Sequence, residues 1–345
     1  MQYFQITGGK QMKLIKSNVE IVKEANPYKK VELVGRTCYK SEDKITDDSY
    51  KIFFKNLVTR RHMAMLEHGV VTFLITGLET LPQTMFQIPY LVITPLGEGY
   101  KMNWLISASL SHIYNDWDEA LPRDSVTVAI LIYMKQLCEQ FYQENGTNFI
   151  QMFSNLCTMS IVDNLPQIQE QFPESPILEK HQFISMKFTC DRGVSHELVR
   201  HRCSVAQSST RYCDYSKGKF GSEITFVKPA EYDSWPEEHK KYFEDFLQNC
   251  EDTYMWMRDK GYQPQQARAV LPNALMTEVI LTMSAKQWAH FLNLRYFGIT
   301  GNPHPDMKIV AEKAYHIFSD EFDGKFQDTE EASEEVDSTN NQDNK

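Results

Sequence analysis

The chain lacks any apolar run long enough to cross a bilayer as a helix, a length of roughly 20 residues, so a helical membrane protein is excluded. Its N-terminal stretch MQYFQITGGKQMKLIKS has no apolar core of the secretory kind, so export is not expected and a cytoplasmic location is. Cysteine is sparse, odd in number and never spaced as CxxC. The seven residues Cys38, Cys138, Cys157, Cys190, Cys203, Cys213 and Cys250 fit reduced thiols better than a disulfide framework or a zinc site. There is no HExxH, no Walker loop, and no GxGxxG between a strand and a helix, which removes the zinc-protease, P-loop and dinucleotide-fingerprint readings. His62 and His68 lie six apart, the wrong spacing for two metal ligands on one helical face, and no metal is expected. Internal repeats and Gly/Ser linkers are absent as well.

Positive charge is also in short supply: the formal net charge is -10. The deficit is uneven, because Asp328–Lys345 holds seven acids and one lysine and so carries -6 of it. That segment has almost no apolar residue to offset ordering entropy and is expected to be a disordered, solubilising tail from 327 onward. The remaining body is mildly acidic, which argues against a general nucleic-acid surface. Any anion it binds must meet a local cationic cluster.

The pattern along the chain predicts a helix over Ser17 to Val34, a turn or strand over Gly35 to Tyr39, and a helix over about Asp48 to His62. HGVVTFLIT and YLVIT read as strands, and Ser125 to Tyr142 reads as an amphipathic helix. Its apolar stripe is Val128, Leu131, Met134 or Lys135, and Cys138. HQFISMKFTCDRGVSHELVRHR reads as strand, turn and helix, SKGKFGSE as a turn and ITFVKP as a strand. The last third is expected to be helical over about Pro236 to Lys260, Pro264 to Val270, Met276 to Phe297, and Pro305 to Phe318. This non-alternating order predicts an α+β fold rather than a doubly wound one.

Three clusters could carry chemistry. In HELVRHR, a helix running to Arg202 would put His196 and Arg200, and Glu197 and His201, one turn apart. Basic residues there either complement the helix dipole or grip a phosphate, for which the arginine fork is suited. If Gln207 to Tyr212 is extended, Gln207, Ser209 and Arg211 share one side. They would suit a ring with imide groups and a phosphate; a polar surface loop is the plain alternative. On a helix, Lys286, His290 and Asn293 would form a polar stripe. Trp288, Phe291 and Leu292 would form an apolar one that Arg295 extends, either snorkelling or aimed at a ligand. Arg268 stands in ARAVLP, just before a chain-redirecting proline.

Taken together these segments resemble the flavin-dependent thymidylate synthases, the thymidylate-synthase-complementing family. Its signature is Arg-His-Arg, seven residues, then Ser, continuing as Ser-x-Arg-Tyr; RHR at Arg200–Arg202 and STRY at Ser209–Tyr212 are both present. HMAMLEH at His62–His68, ARAVLP, WAHFLNLR and HPDMKI look like four further family elements in the right order. The resemblance covers roughly Val31 to Thr76 and Phe183 to Phe318.

It implies one α+β catalytic domain over 1–326, with a central, mostly antiparallel sheet flanked by helices and an insertion over about 77–180. It implies a homotetramer with shared sites, FAD as cofactor, NADPH and methylenetetrahydrofolate as co-substrates, and dUMP as substrate. By position, Glu197, Arg200, Gln207, Ser209, Thr210, Arg211, Arg268 and Arg295 would line the dUMP site, with Arg295 activating the uracil. His62, Ala64, Arg200, His201, Arg202, Gln207, Ser284, Lys286 and His290 would face FAD. A non-catalytic flavin- or nucleotide-binding homologue is the alternative. Three departures stand out: only Cys203 to Ser208 separate Arg202 from Ser209, one residue fewer than usual; Lys286 stands where an arginine is usual; and Ala64 replaces a small hydroxyl residue.

Overall fold

The computed structural model describes residues 12–88, 90–97, 102–115, 124–143, 149–153, 156–211, 213–217 and 223–322. The acidic tail, Tyr212 and most of the SKGKFGSE turn lie outside the described residues.

The fold is α+β, with antiparallel sheets flanked by helices. The sheet that matters for the site has four strands in the order β2 (Asn18–Ile21), β8 (Phe183–Asp191), β11 (Met276–Ser284), β9 (Ser204–Gln207), all antiparallel. β11 is central and covered on both faces. Val279, Leu281 and Met283 point into a core with Met186, Phe188, Trp288 and Phe291. Ile280, on the opposite face, packs with Val34, Cys38 and Ala206.

The helices on the first face are α7 (Arg192–Leu198), α10 (Ala285–Leu292) and α11 (Pro305–Phe322). On the other lies α1 (Pro27–Tyr39). The Asn26 side chain caps α1 by accepting from the amides of Tyr28 and Lys29, and Pro27 occupies its first turn.

Three expectations fail here. Ser17 to Val34 is not one helix: Asn18–Ile21 is a strand, and the helix begins only at Pro27, because a proline cannot sit in a helix interior but starts one well. That helix also takes in Gly35 to Tyr39, expected as a turn or strand. Met276 to Phe297 is likewise not one helix. Its first nine residues are β11, where the β-branched Thr277, Val279, Ile280 and Thr282 favour a pleated, doubly covered strand.

A second sheet has five antiparallel strands in the order β4 (Val92–Leu96), β5 (Asn103–Ser109), β3 (Val70–Thr76), β7 (Cys157–Ile161), β6 (Phe149–Met152). Four of its strands fall between residues 77 and 180, and two of them, β5 and β7, pair directly with β3, which precedes that segment. Phe73, Ile75, Ile106 and Ala108 pack against α1, α2 (Ser49–Thr59) and α4 (Ser125–Tyr142) through Tyr28, Val31, Phe54 and Met134. α4 has its expected bounds, but its buried stripe is Thr127, Ile130, Met134, Leu137 and Cys138, so Val128 faces outward. Short helices α3 (Leu110–Tyr114), α5 (Leu165–Gln171) and α6 (Ile177–His181) complete this region.

A third, smaller core joins α8 (Glu237–Asp259) to β10 (Thr225–Val227), which pairs in parallel with β1 (Lys13–Ile15). α9 (Pro264–Ala267) and a 3-10 turn over Arg268–Val270 lead from α8 toward β11.

Candidate active site

The site is built where α7 ends, beside the C-terminal end of α10. α7 starts on an Asp191 cap whose Oδ1 accepts the Val194 amide at 3.0 Å, and it stops at Leu198, four residues before the expected end. Arg200, His201 and Arg202 therefore occupy a tight turn, closed by the amides of Arg200, His201 and Cys203 on the carbonyls of Glu197, Leu198 and His201. The turn spreads the three basic side chains. Arg200 and Arg202 are exposed, while His201 is half-buried, edge-on to Phe291 with ring centroids 4.8 Å apart.

Arg295 reaches this turn because α10 does not continue as a regular helix. Asn293–Phe297 is a π-turn, a widened form of helix frequent at functional sites. Trp288, Phe291 and Leu292 are buried as expected, but Arg295 is held by partners rather than extending their stripe. Its Nη1 donates to Glu197 Oε2 at 2.6 Å and its Nε donates to His201 Nε2 at 3.1 Å. A guanidinium has donors only, so His201 must accept at Nε2 and is the neutral ring protonated at Nδ1. Burial, followed by the charges of Arg295 and His290, pushes its pKa down to about 4. In the same turn Asn293 Oδ1 is buried without a hydrogen-bond partner among the described residues. It is an acceptor suited to an N–H donor.

β9 carries the connection from RHR to STRY. Its four residues pair with Thr282 to Val279 of β11 in unbroken register. The one-residue-shorter segment thus forms a plain ladder. Gln207 Nε2 donates to Ser195 Oγ at 3.0 Å and to Thr277 Oγ1 at 3.2 Å. Ser208 bonds the amide of Glu278 and the hydroxyl of Thr277.

The extended reading of 207–212 holds only to here. The Ser209 carbonyl accepts the Cys213 amide at 2.9 Å and its Oγ accepts the Arg211 amide at 3.3 Å, so the chain turns and the Gln-Ser-Arg alternation is lost. Within this turn Thr210 is buried and accepts Arg268 Nη1 at 3.1 Å, while Arg211 Nε reaches Gln265 at 3.2 Å. Arg268 of ARAVLP is therefore brought to Thr210.

Ser284 is the N-cap of α10 in a capping box with Gln287, whose Nε2 also donates to the Arg202 carbonyl at 3.1 Å. Lys286 and His290 are exposed on the outer face of α10, as the polar stripe required. The His62–His68 segment is a 3-10 turn over Met63–His68 against β9, where Ser204 Oγ donates to the Glu67 carbonyl at 3.1 Å. His62 and Ala64 are exposed on it. His68, fully buried, bonds Thr282 Oγ1 through Nδ1 at 2.7 Å and so ties this turn to β11.

Sequence reasoning missed Ser195, Thr277 and Gln287, the residues that hold Gln207 and Arg202 in place. Only Gln287 had a visible signal, the SAKQ capping-box pattern.

A family model described as thymidylate synthase complementing protein matches residues 136–322. The chain belongs to that family. The match contains the RHR turn, STRY, Arg268 and Arg295; the His62–His68 segment lies outside it.

Among curated relatives, a flavin-dependent thymidylate synthase of Geobacter sulfurreducens is 40% identical over 105 residues, spanning 30% of this chain and 43% of that protein. One from Thermococcus onnurineus is 32% identical over 186 residues, spanning 50% of this chain and 71% of its own. A solved UMP/dUMP methylase from Streptomyces cacaoi, bound with 5-Br dUMP, aligns over 93% of this chain and 96% of its own. It does so at 14% identity and a TM-score of 0.38, a likeness too low to bear on this chain.

The residues present suit a flavin and a nucleotide. Arg200 and Arg202 offer exposed cations on one turn, His290 and Lys286 lie on the α10 face beside it, and the orphaned Asn293 oxygen asks for a donor.

Proposed function

We propose that this chain is a flavin-dependent thymidylate synthase. It would convert dUMP to dTMP with FAD as cofactor, methylenetetrahydrofolate as one-carbon donor and NADPH as reductant. The observation that carries the reading is the convergence of Arg295, Glu197 and His201 from separate elements at the RHR turn.

On the dUMP side the proposal assigns Glu197, Arg200, Gln207, Ser209, Thr210, Arg211, Arg268 and Arg295. On the FAD side it assigns His62, Ala64, Arg200, His201, Arg202, Gln207, Ser284, Lys286 and His290. A bound flavin supplies the redox chemistry; the chain's residues bind, orient and tune charge. Arginine forks suit the phosphates of both ligands. Arg295, about one-fifth exposed and fixed by two partners, is placed to stabilise negative charge developing on the uracil without reorganising. No nucleophile from the chain is required.

The proposal extends to residues 1–326 as one catalytic unit, a homotetramer with shared sites, and the cytoplasm. No helix among the described residues is long and apolar enough to cross a membrane. The deciding experiment follows dTMP from dUMP with NADPH and methylenetetrahydrofolate, alongside the absorbance of bound flavin. Flavin bound without dTMP formation would overturn the proposal.

A further inference from the structure

Lys286 stands in the first turn of α10, where the reading above places the cofactor. Unlike an arginine it has no planar fork, only a compact charge on a flexible stem, so its direction depends on what it is paired with. Its partner comes from the segment between residues 77 and 180: Lys286 Nζ lies 3.0 Å from Glu179 Oε1 on α6. The lysine is the more exposed of the two, at 63% against 29% for the glutamate.

α6 is fixed on three sides, so the carboxylate is the stationary member of the pair. His181, at its end, is buried with both ring nitrogens engaged, Nδ1 with Ser107 Oγ at 2.8 Å and Nε2 with Thr94 Oγ1 at 2.9 Å. Ser107 in turn bonds Thr72 at 2.6 Å, which ties the helix to β5, β4 and β3. Ile177 is buried against Leu96 and Leu105. The carbonyl of Gln182 accepts the Ala285 amide at 3.0 Å, which sets α6 directly against the start of α10.

We propose that Glu179 is a place-holding carboxylate for Lys286, through which the inserted segment tunes the affinity of the site for its anionic cofactor. Rigid α6 keeps the glutamate where it is, while the flexible lysine swings between it and the ligand phosphate. Binding of FAD then exchanges one ion pair for another, and the net gain from Lys286 is smaller than an unpaired lysine would give. A ligand bearing only a carboxylate gains nothing from the exchange. The inference rests on the assignment of Lys286 to the FAD side.

The test is the affinity for FAD, read by quenching of flavin fluorescence on protein stripped of flavin. It compares wild type, Glu179→Gln, Lys286→Ala and the double variant at low and high salt. Glu179→Gln is expected to bind FAD about threefold more tightly at low salt, in keeping with the modest worth of an exposed ion pair. The gain should fade in about 0.5 M salt, where exposed charges are screened. Lys286→Ala is expected to bind more weakly, and adding Glu179→Gln to it should change nothing. A gain in affinity cannot come from structural damage, which would weaken binding. If Lys286→Ala weakens binding while Glu179→Gln leaves it unchanged or weaker, the place-holding role is overturned and the cofactor assignment of Lys286 stands. If Glu179→Gln tightens binding equally in the Lys286→Ala background, the effect is a general field and the proposal fails. If Lys286→Ala leaves binding unchanged, the cofactor assignment of Lys286 falls and the inference with it.

Discussion

Arg295 and Glu197, 98 residues apart in the chain, meet with Nη1 and Oε2 at 2.6 Å, and His201 accepts from the same guanidinium at 3.1 Å. Two side chains therefore hold the guanidinium in place, and under the proposed function it would meet charge developing on the substrate without a reorganisation cost. Arg295→Ala is expected to retain flavin, seen as the yellow absorbance of the purified protein, and to lose dTMP formation by about 100-fold or more. Near-normal turnover would remove Arg295 from the mechanism. Glu197→Ala leaves the guanidinium with one anchor, and a loss of roughly tenfold is expected from its misplacement.

His68 and His181 are buried and His201 is half-buried, and all three are held in the neutral form. Desolvation pushes His201 and His181 down to about 4 and His68 to about 3, against 6.5 unfolded. The unfolded chain thus binds more protons in that window. Their contribution to stability is fully present above about pH 6.5 and is lost as pH falls toward 4. Thermal melts should show Tm falling steadily between about pH 7 and about pH 4.5. His181→Gln, which keeps hydrogen-bonding atoms but cannot take up the proton, should shrink that fall. A Tm indifferent to pH over this range would contradict the neutral rings.

The chemistry of the site was more legible in the sequence than its backbone. RHR, STRY, Arg268 and Arg295 declare themselves by residue type and order, and the structure brings Thr210 to Arg268 and the RHR turn to Arg295. MTEVILTMS reads equally as helix or strand because its strand is covered on both faces, so that apolar Val279, Ile280 and Leu281 run consecutively and no period of two separates strand from helix. Its β-branched content was the usable signal. The end of α7 was misplaced because Glu197 to Arg202 contains no glycine or proline to mark a stop. Arg295 sits in a π-turn, which no periodicity of 3.6 announces. The partners Ser195 and Thr277 were invisible because a buried hydroxyl looks like any other until its neighbour across the sheet is known.

Gly69 closes the His62–His68 turn and enters β3. A Cβ there would meet the Pro27 carbonyl oxygen at 2.7 Å, Leu110 Cδ1 at 2.8 Å and Val31 Cγ2 at 2.9 Å. The first of these is backbone and cannot rotate away. Gly69→Ala should destabilise the protein by about 1–3 kcal/mol through overpacking, measurable by denaturant melts. Because the turn lies against β9 through the Ser204 to Glu67 bond, flavin retention should fall with it. A variant as stable as the parent would show that Pro27 and the turn can separate without cost.

Glu251 gives the opposite pH signature to the histidines. It is buried on α8, its Oε1 accepts the Ile224 amide at 2.9 Å, and burial raises its pKa to about 7 from 4.5. A raised carboxyl binds its proton more tightly folded than unfolded. Its contribution is therefore fully present below about pH 4.5 and is lost as pH rises through about 7. Glu251→Gln keeps an acceptor for Ile224 but removes the titration. The variant should match wild type near pH 4.5 and exceed it in thermal stability near about pH 8, with α8 and β10 more protected from amide exchange. If the variant is instead less stable at about pH 8, the ionised carboxylate is supporting the α8–β10 core, and the raised pKa is wrong in sign.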